Sequence, residues 1–340
     1  MEHCSVEFIK GDLGMKILAL DFGGSSVKYG VVDENAVITE SGKLPAPLSS
    51  VEEFADTVAE LYDRFKDGVS GIGVSLPGNI DPESGVLFGS GVYRELYGKS
   101  ITDIIEKRCG VKAAVENDGK CGALSEAWKG SLRDCEDGIV LILGSGIAGG
   151  VIKNHKVHSG KGFNAGEFSY AITTSGDYSL MSSACMQVGM LGVTYKLCKM
   201  KNLDLTIQDS APTQLFLDSV LGDRYPKTDE EPKKIIADGR QFFDWIRAGD
   251  EDALKVYDEF IKALGNMVFN AQICYGPDKI VIGGGLSRED CVLTDLRNEV
   301  DKYVKGYGVE GMINPEIVVS TYRSEANLCG AAYNFIIRNK

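Results

Sequence analysis

The fold turns on one stretch, Ile17-Leu18-Ala19-Leu20-Asp21-Phe22-Gly23-Gly24-Ser25-Ser26-Val27-Lys28. Four apolar residues ending on a carboxylate predict a buried strand. After Gly-Gly-Ser-Ser, the spacing of Val27, Tyr29, Val31 and Val32 predicts a second strand. Glycine allows a sharp turn and lets a ligand approach the backbone without a Cβ in the way. Successive N–H groups in such a turn can cradle an anion, and Asp21 could hold a metal carried by that anion. An ordinary tight β-turn explains the same residues, so this stretch alone leaves both readings open.

A second stretch bears on the choice. In Ile139-Val140-Leu141-Ile142-Leu143-Gly144-Ser145-Gly146-Ile147-Ala148-Gly149-Gly150-Val151-Ile152, the glycine spacing matches a dinucleotide-binding fingerprint, which requires a helix to follow. Here Val151-Ile152 runs instead into Lys153-Asn154-His155-Lys156 and Val157, which is hairpin patterning. The dinucleotide reading therefore fails on context. Two strand–glycine turn–strand units in one chain suggest two similar halves facing a shared phosphate ligand.

Between these units the pattern is α/β. Residues 51–65 have apolar residues at helical spacing, and residues 69–76 read as a buried strand ending at Pro77-Gly78-Asn79. Residues 101–108 form a short helix closed by Gly110, and residues 111–115 form another strand. That strand runs into Glu116-Asn117-Asp118-Gly119 and a helix bearing Ala123, Leu124, Ala127 and Trp128. The plain reading of Asp118 is a helix cap. The functional reading makes it a proton acceptor, kept ionised by the helix dipole.

Farther on, Asn164-Ala165-Gly166-Glu167-Phe168-Ser169-Tyr170 follows a glycine-rich link, and 203–235 reads as helices joined by loops. A long helix from Asp250 to about Tyr275 would bury Leu254, Tyr257, Ile261, Leu264, Val268 and Ala271, and the tail from Ala326 is a small-residue helix. The strand Lys279-Ile280-Val281-Ile282 ends in Gly283-Gly284-Gly285, a turn open enough for a base or ribose to lie against its backbone. Trp128 and Trp245 read as core, and His155 and His158 as surface residues of a hairpin.

The 340 residues allow two domains. A net charge of −13, with no Lys/Arg block longer than a pair, argues against nucleic acid. The nine cysteines form no C-x-x-C pair, which suits a reducing cytoplasm. Neither a membrane span nor a signal peptide is expected.

Taken in order, Asp21 to Lys28, Glu116-Asn117-Asp118, Gly144 to Gly150, Gly166-Glu167 and Ile282 to Gly285 resemble the motifs of the ROK family of repressors, open reading frames and kinases. The resemblance implies a two-domain actin-like ATPase (ribonuclease-H-like, hexokinase-type) fold closing over ATP and a sugar. It implies an extension over 1–14, domains over 15–118 and 119–324, and a C-terminal helix, 325–340, packing back on the first. Asp21, Gly23, Gly24, Ser25, Ser26, Lys28, Gly144, Ser145 and Gly146 would hold the ATP phosphates, with Gly283, Gly284 and Gly285 near the adenosine. Asp21 would approach Mg2+ through water. Asp118 would be the general base, and Asn117, Glu167 and Gly78 would bind the sugar. Homodimers are common in the family.

This chain also departs from the family pattern. Where members carry Gly-His after Gly-Glu-x, it has Ser169 and Tyr170, and of the zinc cysteines Cys185 alone remains. Gln187 stands where a glutamate is usual, so Tyr170 and Gln187 would alter sugar selection. The pattern resembles the zinc-lacking branch that includes β-glucoside kinases. A kinase-like transcriptional regulator would need a basic helix-turn-helix domain before the kinase-like part, whereas 14 acidic-to-neutral residues precede Met15. A catalytically silent sugar-binding protein would not need both Asp21 and Asp118. One thiolate cannot build a four-ligand zinc site, so elemental analysis of protein prepared in metal-free buffer should find no stoichiometric zinc; one equivalent refutes this reading.

Overall fold

The computed structural model describes residues 14–89, 91–174, 178–201 and 239–339. The expected helices over 203–235 lie outside the described residues, as does nearly all of the 1–14 extension.

The opening stretch forms β1 (Lys16–Phe22) and β2 (Ser26–Asp33), paired antiparallel with Asp21 opposite Lys28. Next comes β3 (Ile38–Pro45), then α1 (Val51–Phe65), capped by the Ser50 side chain. β4 (Gly71–Leu76) starts two residues later than the pattern predicts. A small ribbon of β5 (Asn79–Ile80) and β6 (Leu87–Gly89) follows, then α2 (Ile101–Cys109), closed by left-handed Gly110. β7 (Ala113–Asn117) completes a sheet ordered β3-β2-β1-β4-β7.

The second half repeats this plan. β8 (Gly138–Leu143), β9 (Ile147–Lys153) and β10 (Lys156–Val157) form an antiparallel meander, which confirms that the glycines of 144–150 turn a hairpin. β11 (Lys279–Gly284) and β12 (Ile317–Val319) add in parallel, giving the order β10-β9-β8-β11-β12. Both sheets thus follow one topology, with three meander strands and two parallel ones. Around the second sheet lie α4 (Ala184–Gln187), α5 (Met190–Met200), α6 (Gly239–Arg247), α7 (Glu251–Tyr275) and α8 (Asp290–Tyr307). In α7 the buried face uses Ala253, Val256 and Phe260 beside Ile261 and Leu264, while Leu254 is 43% exposed. The expectation for Leu254 was therefore wrong, because the buried stripe starts one position earlier. Trp128 and Trp245 are half-buried at the margins of the core, Trp128 stacking on Tyr333 with ring centroids 4.9 Å apart.

Two helices join the halves. α3 (Asp118–Lys129) is buried from Gly119 to Glu126, between β9 and α9 (Ala326–Arg338). α9 crosses back to pack on β1, β4 and β7 of the first sheet. Small residues permit this. A Cβ on Gly330 would stand 1.7 Å from Cys121 O, and one on Gly119 would stand 2.4 Å from Gly149 O. On α3, Glu126 accepts hydrogen bonds from Ser320 Oγ at 2.6 Å and from the Thr321 and Tyr322 N–H groups at 3.2 Å, which fixes the approach to α9. Substituting Gly330→Ala should destabilise the protein by about 2–3 kcal/mol, read as a lower denaturant midpoint. An unchanged midpoint contradicts the tight packing of α3 on α9.

Candidate active site

The site is built where strands of each sheet end beside α3. Asp118 is the first residue of α3 and not its cap. Asn117 is the N-cap, its Oδ1 accepting from the Lys120 N–H at 3.1 Å and its Nδ2 donating to Gly78 O at 3.1 Å. This corrects the plain reading of Asp118, because the turn chemistry falls one residue earlier and frees the carboxylate. Asp118 keeps one local contact, its Oδ1 accepting from the Gly119 N–H at 2.8 Å.

Asp118 lines a cavity of about 380 Å³ together with Gly78, Asn117, Glu167 and Tyr170. Burial and the nearby Asp21 carboxylate push the Asp118 carboxyl up to about 6, with the Gly119 N–H and Lys120 pulling the other way. Burial and Asp118 likewise raise Glu167 to about 7. Glu167 Oε1 is buried and has no hydrogen-bond partner among the described residues. A desolvated carboxylate oxygen calls for a donor, and a sugar hydroxyl is one.

Asp21 is buried at the end of β1. Its Oδ1 accepts from Ser75 Oγ at 2.9 Å and Asn327 Nδ2 at 3.0 Å, and Lys28 lies 3.6 Å from Oδ2. Ser75 and Asn327 arrive from β4 and α9, so nothing local in the sequence announces them. The turn at Gly23 is braced by Tyr93, whose hydroxyl donates to Gly23 O at 2.8 Å.

A second cavity, about 460 Å³, brings Gly144 and Ser145 together with Gly285 from the other end of the chain. Arg240 and Arg288 join them, and sequence reasoning named neither. Gly283 and Gly284 sit within β11 instead. A Cβ on Gly284, at φ +82°, would stand 2.2 Å from Leu143 O, so this glycine serves strand packing. Gly146 faces the Cys185 thiol, with 3.6 Å from its would-be Cβ to Sγ.

Gln187 is not brought into the cavity that Asp118 lines. It is buried, with its amide donating to Met181 O and accepting from Lys196. Tyr170 does line the cavity and is 59% exposed at its rim, near Arg94, Val92 and Leu180, which the sequence did not single out. Burial raises the Cys185 thiol to about 11. Among the described residues no three His, Cys, Asp or Glu side chains cluster as metal ligands, and no helix is long and apolar enough to cross a membrane.

The ROK family model matches residues 17–191 and 214–337. The chain belongs to the ROK family. Relatives within it include a β-glucoside kinase of Listeria innocua, 26% identical over 330 residues, covering 95% of this chain and 98% of that protein. An N-acetyl-D-glucosamine kinase of Escherichia coli is 29% identical over 294 residues, covering 84% and 88%. A glucokinase of Thermotoga maritima is 27% identical over 328 residues, covering 94% and 96%. All three are carbohydrate kinases. A ROK family glucokinase from Streptomyces griseus, solved with glucose and AMPPNP, superposes with a TM-score of 0.73 at 22% identity, covering 93% of this chain and 98% of that one. A ROK hexokinase from Thermus thermophilus superposes at 0.74 and 21% identity, covering 96% and 100%. The fold is therefore the two-domain actin-like ATPase fold of ROK sugar kinases.

Proposed function

We propose that this ROK protein is an ATP-dependent sugar kinase, transferring the γ-phosphoryl group of ATP to a hydroxyl of a hexose or hexose-containing glycoside, with Asp118 as general base. The observation carrying the proposal is the Asp118 carboxylate lining a cavity shared with Glu167, beside the buried Asp21 and two glycine hairpins. The carbohydrate-kinase relatives support the same reaction class.

A sugar hydroxyl is a weak nucleophile, so transfer rests on alignment, charge neutralisation and a proton acceptor. Asp118, raised to about 6, is ionised near neutral pH yet basic enough to take the hydroxyl proton. Glu167 and Asn117 would hold other hydroxyls and fix which oxygen faces the phosphate. Gly78 would contribute through the backbone that Asn117 grips. Tyr170 at the rim would stack on a sugar face or an aglycone.

The turns at Gly23–Ser26 and Gly144–Gly146 would receive the phosphates through backbone N–H groups, helped by Lys28. Gly285 would lie along the nucleoside. The donor set fits a magnesium ion, since Asp21 offers one buried, oriented carboxylate of the kind magnesium accepts alongside waters and phosphates. Magnesium, when bound, neutralises charge on the β- and γ-phosphates. On this reading residues 15–118 with 325–340, and residues 119–324, are two domains that close over the cleft and exclude water. A homodimer working in the cytoplasm completes the proposal.

Asp118→Asn should leave ATP affinity within about twofold and lower sugar-dependent ADP formation by about 10²–10⁴-fold; unchanged turnover would sink the assignment. Because the Asp118 carboxyl is raised, its basic form is present above about pH 6 and lost below it. kcat/KM should therefore fall as pH drops through about 6, and a profile flat from pH 8 to pH 5 contradicts the assignment. ADP release should be measured with glucose, N-acetylated hexosamines, mannose, fructose and cellobiose. At least one sugar is expected to stimulate it, and silence with every sugar argues for a binding protein without catalysis.

A further inference from the structure

Lys120 has no part in the reaction as described, yet among the described residues no other lysine or arginine is buried. It sits in the first turn of α3 and is 0% exposed. Burying a lysine is costly unless its charge is compensated. Its ammonium donates to Phe163 O at 2.5 Å, in the loop that leads to Gly166 and Glu167. That loop is held under strain. Phe163 has a left-handed φ of +57°, unfavourable for a residue with a Cβ, and Gly166, at φ +86°, passes so close to β9 that a Cβ would stand 3.0 Å from Gly150 Cα. Phe163 also stacks on Phe88 of β6, with rings 5.8 Å apart and 5° from parallel.

Carboxylates surround the ammonium on several elements. Glu116 ends β7, Asp118 precedes Lys120 on α3, and Glu167 follows the loop; all three feel Lys120. Beyond them, Asp21 on β1 acts on Asp118, with Lys28 against Asp21, while Arg338 on α9 and Asp81 act on Glu116. Lys120 is thus the cation common to three carboxylates, Glu116 buried and Asp118 and Glu167 half-buried.

We infer that Lys120 is a positioning residue for phosphoryl transfer, tying the Glu167 loop to α3 and keeping Asp118 and Glu167 together in one pocket. Through the Phe163 carbonyl it sets where Glu167 stands relative to Asp118. Through its charge it offsets the repulsion that would otherwise part them or protonate one. The inference rests on the sugar-kinase reading. It differs from a role in packing alone, since a neutral side chain of the same length would fill the space.

The test compares Lys120→Met, Lys120→Arg and the double variant Glu116→Gln/Lys120→Met, each checked for folding by circular dichroism, using the sugar that stimulates the wild type. Lys120→Met should raise the KM for sugar about tenfold, the loss of one charge-assisted hydrogen bond, with the KM for ATP within about twofold. Removing a cation raises the carboxyls it faces, so the acid limb of kcat/KM should move up by about one pH unit. Lys120→Arg keeps the charge and the donor and should return the limb to its wild-type position. The double variant removes a charge of each sign, which keeps a folded protein available if Lys120→Met alone unfolds, and its limb should stay shifted. The inference is overturned if Lys120→Met keeps the wild-type profile, if Met and Arg are equally impaired, or if the double variant regains the wild-type profile, since the lysine would then serve Glu116 alone. Absence of sugar-dependent ADP formation in the wild type would instead fail the kinase reading, a separate outcome.

Discussion

The rest of the structure depends on the passage of α3 between the two halves with almost no space on either side. One flank presses on α9, where Gly330 lies against Cys121 O, and the other on β9, where Gly119 meets Gly149 and Ala123 meets Gly150. Backbone contacts this close leave no room for rotation or sliding. The helix therefore holds its first residue, Asp118, in a fixed relation to both sheets. Glu126, farther along, gathers Ser320, Thr321 and Tyr322 and so fixes where the chain returns to the first half. The position of Asp118 and the joint between the halves come from the same twelve-residue helix.

Electrostatics adds a second constraint. Asp21, Glu116, Asp118 and Glu167 occupy a small region of low exposure, and the cations acting on them include Lys28, Lys120 and Arg338. Burial first, and the neighbouring carboxylates second, raise Asp118 to about 6 and Glu167 to about 7. A general base is most effective there, because it stays ionised yet can still accept a proton.

The two sheets share a topology but not a task. In the first half the glycine turn lies beside Asp21 and is braced by Tyr93. In the second, the corresponding turn opens on a cavity with Gly285, Arg240 and Arg288. A repeated architecture supplies two similar glycine turns, and the side chains around each make them different.

Local pattern was enough for much of this. β1, β2, α1, α2, β8, β9 and α9 follow from apolar periodicity and turn residues, and the hairpin after Gly144 ruled out a dinucleotide site before any coordinates. Periodicity reports which face of an element is apolar, and turn residues report where backbone geometry is special, so both are written locally. It could not show that Asn117 and not Asp118 caps α3, since the two neighbours are equally good caps and only the path of the strand decides between them. Nor could it show that Asp21 would be gripped by Ser75 and Asn327, 54 and 306 residues away, or that Gln187 would turn from the cavity toward Lys196. Nothing in the local pattern marks Lys120; its burial against the Phe163 loop, 43 residues on, follows from packing over long sequence separation. The sequence by itself determined those elements and their glycine turns. The tertiary structure alone decided which carboxylates share a pocket, because that depends on how two sheets close around one helix.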